Sequence, residues 1–180
     1  MSIADKYRPQ YTYTDYCLWE GRWELIDGMP YSMSPSRVKR HQVISGNLHF
    51  ILKKILTDSC KDCQVIMQLD WKINEKTVVQ PDLMVICNDF ITPFLEFPPS
   101  IIIEILSPST SYKDRHEKFE LYQEQRVNYY LIVDPDFNKI EIYELIAAGY
   151  QPVAITPDKF EFVLEDKCSF FLSFDKIFDK

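Results

Sequence analysis

The strongest periodic signal lies in "VKRHQVISGNLHFILKKIL", residues 38–56, where Val38, Ile44, Leu48, Ile51, Leu52 and Ile55 recur at helical spacing. This predicts a long helix with one apolar face. Upstream, "RWELIDGMPYSM" alternates around Asp27-Gly28 and predicts a β-hairpin. Before it, "YTYTDYCLWEG" predicts a short helix capped by Thr14 or Asp15. "CQVIMQLDWKI" and "TVVQPDLMVI" read as two extended segments joined antiparallel through Asn74-Glu75-Lys76. A Pro-rich loop, the Ile-rich strand "IIIEIL" and a Ser-Pro-Ser-Thr break follow, and then a helix from about Tyr112 to Gln125. "NYYLIVDPDFNKIEIYEL" predicts two more strands around Asp134-Pro135-Asp136, and the Phe-rich "FEFVLEDKCSFFLSF" further strands. This order predicts an α/β (α+β) fold, a mixed central sheet flanked by helices.

Composition narrows the class. A chain of 180 residues with 46% hydrophobic positions can bury a substantial core and is read as a single domain over residues 1–180. The start "MSIADKYRPQ" lacks the apolar stretch of a secretory signal, and no run reaches the length of a membrane span. Five cysteines without regular spacing favour reduced thiols over a disulfide framework, and hence a cytoplasmic protein. Cys60 and Cys63 form one "CKDC", but a structural zinc needs four ligands and no second pair or suitably spaced histidine follows, so the motif reads as incidental. Only four glycines are present, and no Gly-rich phosphate loop.

The formal net charge of −7 argues against loose, charge-driven adhesion to nucleic acid or anionic lipid, without excluding a local site. Basic residues cluster at Arg37, Lys39, Arg40 and His41 and again at Lys113, Arg115, His116 and Lys118, although such clusters are more often solvated helix faces.

Glu104 is the anomaly. It interrupts Ile101, Ile102, Ile103, Ile105 and Leu106, a pattern expected of a strand buried on both faces. An ionised carboxylate there costs several kcal/mol unless a cation or hydrogen-bond donors compensate it. A second acid, Asp82, follows Pro81, which marks a strand start, edge or bulge. Two carboxylates on neighbouring strands can hold a hard divalent cation that keeps several waters. Glu104 lies about 7 Å before its strand end, and a helix running back along the sheet would carry Lys118 about 9 Å along its axis, level with the carboxylate. Asp114, Lys118 and Tyr122 share one helix stripe. Simpler assignments stay open here: an exposed Asp114–Lys118 pair, Asp82 as a turn residue, and Glu104 with a structural Lys or Arg partner.

"WELIDG", "QPDLMVI", "IIIEILSPST", "DRHEK" and "LYQEQRVNYYLIVDP", in this order over residues 14–145, resemble the Uma family of restriction-endonuclease-like proteins, within the PD-(D/E)XK nuclease superfamily. The resemblance implies an αβββαβ core with extra β-hairpins, Mg²⁺ (or Mn²⁺) held by Asp82 and Glu104, and a phosphodiester target. The chain departs from the superfamily pattern at Leu106, where a Lys is expected two residues after the Glu; Lys118 on the following helix matches the relocated position. Glu24 matches an N-terminal acid of the family and is a further metal candidate, and His41 falls near another recurrent position.

The function expected is metal-dependent hydrolysis of DNA by Asp82, Glu104 and Lys118, with Arg37, Lys39, Arg40 and His41 as candidate backbone contacts. DNA binding should be weak and salt-sensitive, without a membrane partner, and double-strand cutting would favour a homodimer. Two other classes remain: a catalytically degenerate nuclease fold serving as a nucleic-acid-binding or assembly module, and a hydrolase using paired carboxylates on another substrate, such as a glycosidase.

Overall fold

A computed structural model of the chain describes residues 8–33, 39–164 and 168–179. The chain divides into two compact units. The first comprises the described residues of Met1–Ser36 with Leu69–Gln80 and Thr92–Phe97, and the second those of Arg37–Gln68, Pro81–Ile91 and Pro98–Lys180.

In the first unit, helix α1 (Tyr13–Tyr16) begins at Thr12, two residues before the expected cap, because the Thr12 N–H and hydroxyl both donate to Asp15 Oδ2 at 2.8 Å. Strands β1 (Trp23–Ile26) and β2 (Met29–Ser32) form the expected hairpin. Its two-residue turn places Asp27 at φ 49° and Gly28 at φ 75°. Strands β4 (Trp71–Asn74) and β5 (Thr77–Val79) complete a four-stranded sheet of order β2-β1-β5-β4.

The second unit opens with α2 (Lys39–Ser59), the predicted long helix; Val38 and Arg37 lie outside the described residues. Strands β3 (Gln64–Met67), β6 (Leu83–Ile86), β7 (Ile101–Ile105), β8 (Tyr129–Asp134), β9 (Lys139–Ile146) and β10 (Gly149–Ile155) form a sheet of order β10-β9-β8-β7-β6-β3. Only β7 and β8 run parallel among the named strands. They are joined by α3 (Ser111–Arg115) and α4 (Glu117–Glu124). Taken in order, α2, β3, β6, β7, α4 and β8 give the αβββαβ succession. A hairpin of β11 (Lys159–Leu164) and β12 (Cys168–Ser173) stands as a separate two-stranded sheet.

Each of the two long extended segments predicted between residues 63 and 86 is divided. Gln68 adopts φ 53°, which ends β3, and Pro81 separates β5 from β6. β3 therefore pairs with β6, while β4 pairs with β5 in the other sheet.

One face of the six-stranded sheet is apolar. Leu83, Val85, Ile101, Ile103, Ile105, Leu131, Val133, Ile140 and Ile142 pack with Ile44, Leu48, Leu52 and Leu56 of α2 and with Phe162, Leu164, Phe170 and Leu172 of the β11–β12 hairpin. The buried α2 positions keep the three- and four-residue spacing of the sequence pattern.

The cysteines depart from expectation. Cys60 is bonded to Cys168 and Cys63 to Cys87, leaving Cys17 as an exposed thiol. The partners lie 108 and 24 residues away in sequence, so regular spacing was no guide to them. Among the described residues no helix is long and apolar enough to cross a membrane.

The division of α2 into faces has a direct test. Leu48 is fully buried and Phe50 is 70% exposed. Leu48→Ala should cost about 2–5 kcal/mol in urea denaturation, whereas Phe50→Ala should stay within about 0.5 kcal/mol of the parent.

Candidate active site on the polar face of the sheet

The antiparallel register pairs Leu83 with Ile103, Met84 with Ile102 and Val85 with Ile101. Continued by one residue, it sets Asp82 opposite Glu104, and directly opposed residues share a face. β7 and β8 pair in parallel with Glu104 beside Ile132, and Ile132 in turn lies beside Glu141 of β9. Three of the four positions in this cross-strand row, on the face opposite the apolar core, are carboxylates.

Each acid has its own compensation. Glu104, 3% exposed, accepts hydrogen bonds at Oε1 from Lys118 Nζ and from the Tyr122 hydroxyl, both at 2.8 Å. Asp114 Oδ1 lies 3.7 Å from the same ammonium, so Lys118 sits between two carboxylates at 2% exposure. The opening anomaly of the sequence is thereby explained: the partner of Glu104 is a buried lysine from the following helix. The stripe Asp114, Lys118, Tyr122 faces inward as its four-residue spacing required, although the expected single helix is broken at His116, with φ −126° and ψ −77°. Tyr130 of β8 donates to the Asp114 main-chain oxygen at 2.8 Å. Burial, reinforced by the negative charges of Glu104 and Asp114, raises its phenol well above the ordinary range.

Asp82 is held from two directions. Its Oδ2 accepts the Ile105 N–H at 2.9 Å, taking a main-chain donor of β7 at the place where β6 has not yet begun. The same oxygen lies 3.0 Å from His41 Nε2, which therefore carries the proton toward a carboxylate. The Asp82 N–H reaches Glu104 Oε2 at 3.4 Å, linking the two acids. His41 is thus buried beside Asp82 at the start of α2, away from the exposed basic face on which the sequence placed it. One turn along, Ser45 is also buried; neither its Oγ nor His41 Nδ1 has a hydrogen-bond partner among the described residues.

The remaining candidates are placed differently. Glu24 is buried on β1 in the first unit, where its Oε1 accepts the Gln80 N–H at 3.0 Å. Lys39 is exposed, and Arg40 Nε donates to the Pro135 oxygen at 2.8 Å, tying the helix start to the β8–β9 turn. Arg37 lies outside the described residues. Sequence reasoning missed the Asp82–His41 contact and the Glu141 network, in which Arg115 donates twice, at 2.9 and 3.0 Å, Lys139 lies at 2.8 Å and the Tyr143 hydroxyl at 2.8 Å. The alternation of "KIEIYEL" placed Glu141 and Tyr143 on one face, which was the available signal.

The Arg115 guanidinium, against the opposing effect of burial, pushes the Glu141 carboxyl down to about 2 from 4.5. A group with a depressed folded pKa contributes stability above its unfolded value and loses it as the folded value is crossed. The stability advantage of the parent over Glu141→Gln should therefore be full above pH 4.5 and vanish as pH falls to about 2, measured by urea denaturation across that window. Lys118→Met, which strands a buried carboxylate, should cost about 3–5 kcal/mol, and combining it with Glu104→Gln should recover part of that loss.

The model of a family described as "Uma2: Putative restriction endonuclease" matches residues 12–169. An uncharacterized protein of Synechocystis sp. is 33% identical over 146 residues, covering 75% of this chain and 74% of its own length. The fold is similar to the crystal structure of a "putative nuclease belonging to DUF820" from Anabaena variabilis, with a TM-score of 0.73, 16% identity, and coverage of 93% of this chain and 97% of that one. The architecture is restriction-endonuclease-like, and the chain belongs to the Uma2 family.

Proposed function

We propose that the protein is an endonuclease that hydrolyses DNA phosphodiester bonds with a divalent cation, Mg²⁺ or Mn²⁺, held by Asp82 and Glu104. The observation that carries this reading is the row of Asp82 and Glu104 on adjacent strands with the Lys118 ammonium 2.8 Å from Glu104. The donor chemistry fits. Both ligands are hard carboxylates, and water and substrate oxygens would complete the shell. A bound cation of this kind would polarise the phosphate and lower the pKa of a coordinated water.

The chain's own residues do the rest. Lys118 and Tyr122 hold one oxygen of Glu104 and fix the rotamer of its carboxylate. His41 and the Ile105 N–H do the same for Asp82. Lys118 supplies a compact positive charge where the phosphoryl oxygens gain negative charge. Leu106 occupies the usual lysine position, and the ammonium reaches the same acid from α4 instead of from β7. Exposed Lys39 is the candidate backbone contact at the start of α2. Double-strand cleavage would engage two copies of the chain about a two-fold axis.

The burial of the set favours a second reading. Asp82, Glu104 and Lys118 are 5%, 3% and 2% exposed, as expected of a closed ion network in a nucleic-acid-binding module that does not cleave. Incubation with plasmid and oligonucleotide duplexes separates the two. Nicking with Mg²⁺ or Mn²⁺ that EDTA abolishes, that disappears in Asp82→Asn and Glu104→Gln, and that falls about 10²–10³-fold in Lys118→Ala is the expected outcome. DNA retention without cleavage by the parent would establish the module instead, and activity surviving in both carboxylate variants would reject the assignment of these residues.

A further inference from the structure

Cys60 follows the last turn of α2, Cys63 precedes β3, Cys87 follows β6 and Cys168 begins β12. Four elements thus deliver four sulfurs to one place. Cys63 and Cys168 belong to different disulfides, yet their sulfurs lie 3.9 Å apart. Two independent staples need not touch. A tetrahedral ZnS₄ centre with Zn–S bonds of about 2.3 Å has sulfur–sulfur edges of about 3.8 Å, and the contact between the pairs already has that separation.

The local chain is also that of a zinc half-site. Cys60 and Cys63 are spaced C-x₂-C, with the Cys63 N–H donating to the Cys60 oxygen at 2.9 Å across a tight turn. The two cysteines of that turn are not bonded to each other; each reaches a partner brought from elsewhere in the fold. Cys60 and Cys87 lie in the hydrophobic core, and Cys63 and Cys168 pack against it. Such a setting suits the soft sulfur ligands that zinc accepts.

We propose that Cys60, Cys63, Cys87 and Cys168, when reduced, form a structural tetrathiolate Zn²⁺ site that ties the end of α2 and the starts of β3 and β12 to the end of β6. Reduction needs a dithiol reductant. Two equivalents give four electrons and four protons to the two disulfides and leave as two disulfides of their own. Zn²⁺, whose oxidation state does not change, then displaces the four thiol protons as four Zn–S bonds form.

The site is separate from the carboxylates. Along α2, Cys60 stands nineteen residue steps beyond His41, about 28 Å at helical rise, and along β6 Cys87 stands five steps beyond Asp82, about 16 Å at strand rise. The proposal therefore does not rest on the nuclease reading, and its test needs no activity measurement.

The full chain, produced in a reducing cytoplasm and purified without chelator, should carry one Zn²⁺ by elemental analysis. Co²⁺ in its place should show thiolate-to-metal charge-transfer absorption. After chelation and unfolding without reductant, all five cysteines should react with a thiol reagent. Cys63→Ser and Cys168→Ser should each lose the metal, and Cys17→Ser should keep it. Absence of zinc from the parent would overturn the proposal, whether one thiol or five then titrate; so would zinc that persists undiminished in both the Cys63 and Cys168 variants.

Discussion

A carboxylate buried within a central strand is the constraint around which the larger unit is arranged. Glu104 sits on β7 with strands on both sides, and its ionised form is tolerable there only if donors meet it inside the protein. Lys118 and Tyr122 supply them from one helix stripe, so the connection from β7 must return α4 along the sheet at the right height. Lys118 in turn is held between Glu104 and Asp114. The same requirement extends sideways: Asp82 and Glu141, in the same cross-strand row, are met by His41 and by Arg115 with Lys139.

Such an arrangement is a poor way to obtain stability. Replacing a buried ion pair by apolar residues of similar volume is often neutral or favourable, and the opposite face of this sheet shows that the chain can build a fully apolar layer. One face carries Leu83, Ile103, Leu131 and Ile142; the cross-strand row on the other carries Asp82, Glu104 and Glu141, with Ile132 between the last two. Under the proposed function, the polar row is kept for its chemistry and not for its stability. Asp82 stands just ahead of β6, where its side chain accepts the Ile105 N–H. Pro81, which cannot donate to a ladder, sits where the regular pairing stops.

Much of this was legible in the chain because burial leaves periodic marks. The apolar face of α2, the Asp27-Gly28 hairpin, the Ile-rich strand and the level placement of Lys118 against Glu104 all follow from rise per residue and side-chain alternation. The breaks were not legible. The alternating pattern runs on through Gln68 and Gln80, whereas the strands stop there, and only Pro81 announced it; the φ of 53° at Gln68 leaves no mark in composition. The break at His116 is hidden likewise, since Asp114, Lys118 and Tyr122 keep their stripe across it. His41 was read as part of a basic surface because its neighbours in sequence are basic, while its partner Asp82 is 41 residues away and becomes adjacent only through the sheet.

Long-range pairing also accounts for the cysteines, and it separates two kinds of donor. At the beginning of α2 the fold gathers carboxylates, an imidazole and an ammonium; beyond its last turn it gathers four sulfurs. Hard oxygen donors suit Mg²⁺ or Mn²⁺, and soft sulfur donors suit zinc, so under the two proposals ligand type would keep one kind of ion from competing for the other's place. The helix between them is the element both groups share, and its register along the apolar face of the sheet sets His41 against Asp82 as well as Cys60 against Cys168. A shift of α2 by one turn would move both by about 5.4 Å, breaking the polar contact and the sulfur cluster together. The packing of Ile44, Leu48, Leu52 and Leu56 is therefore what holds the two ends in place.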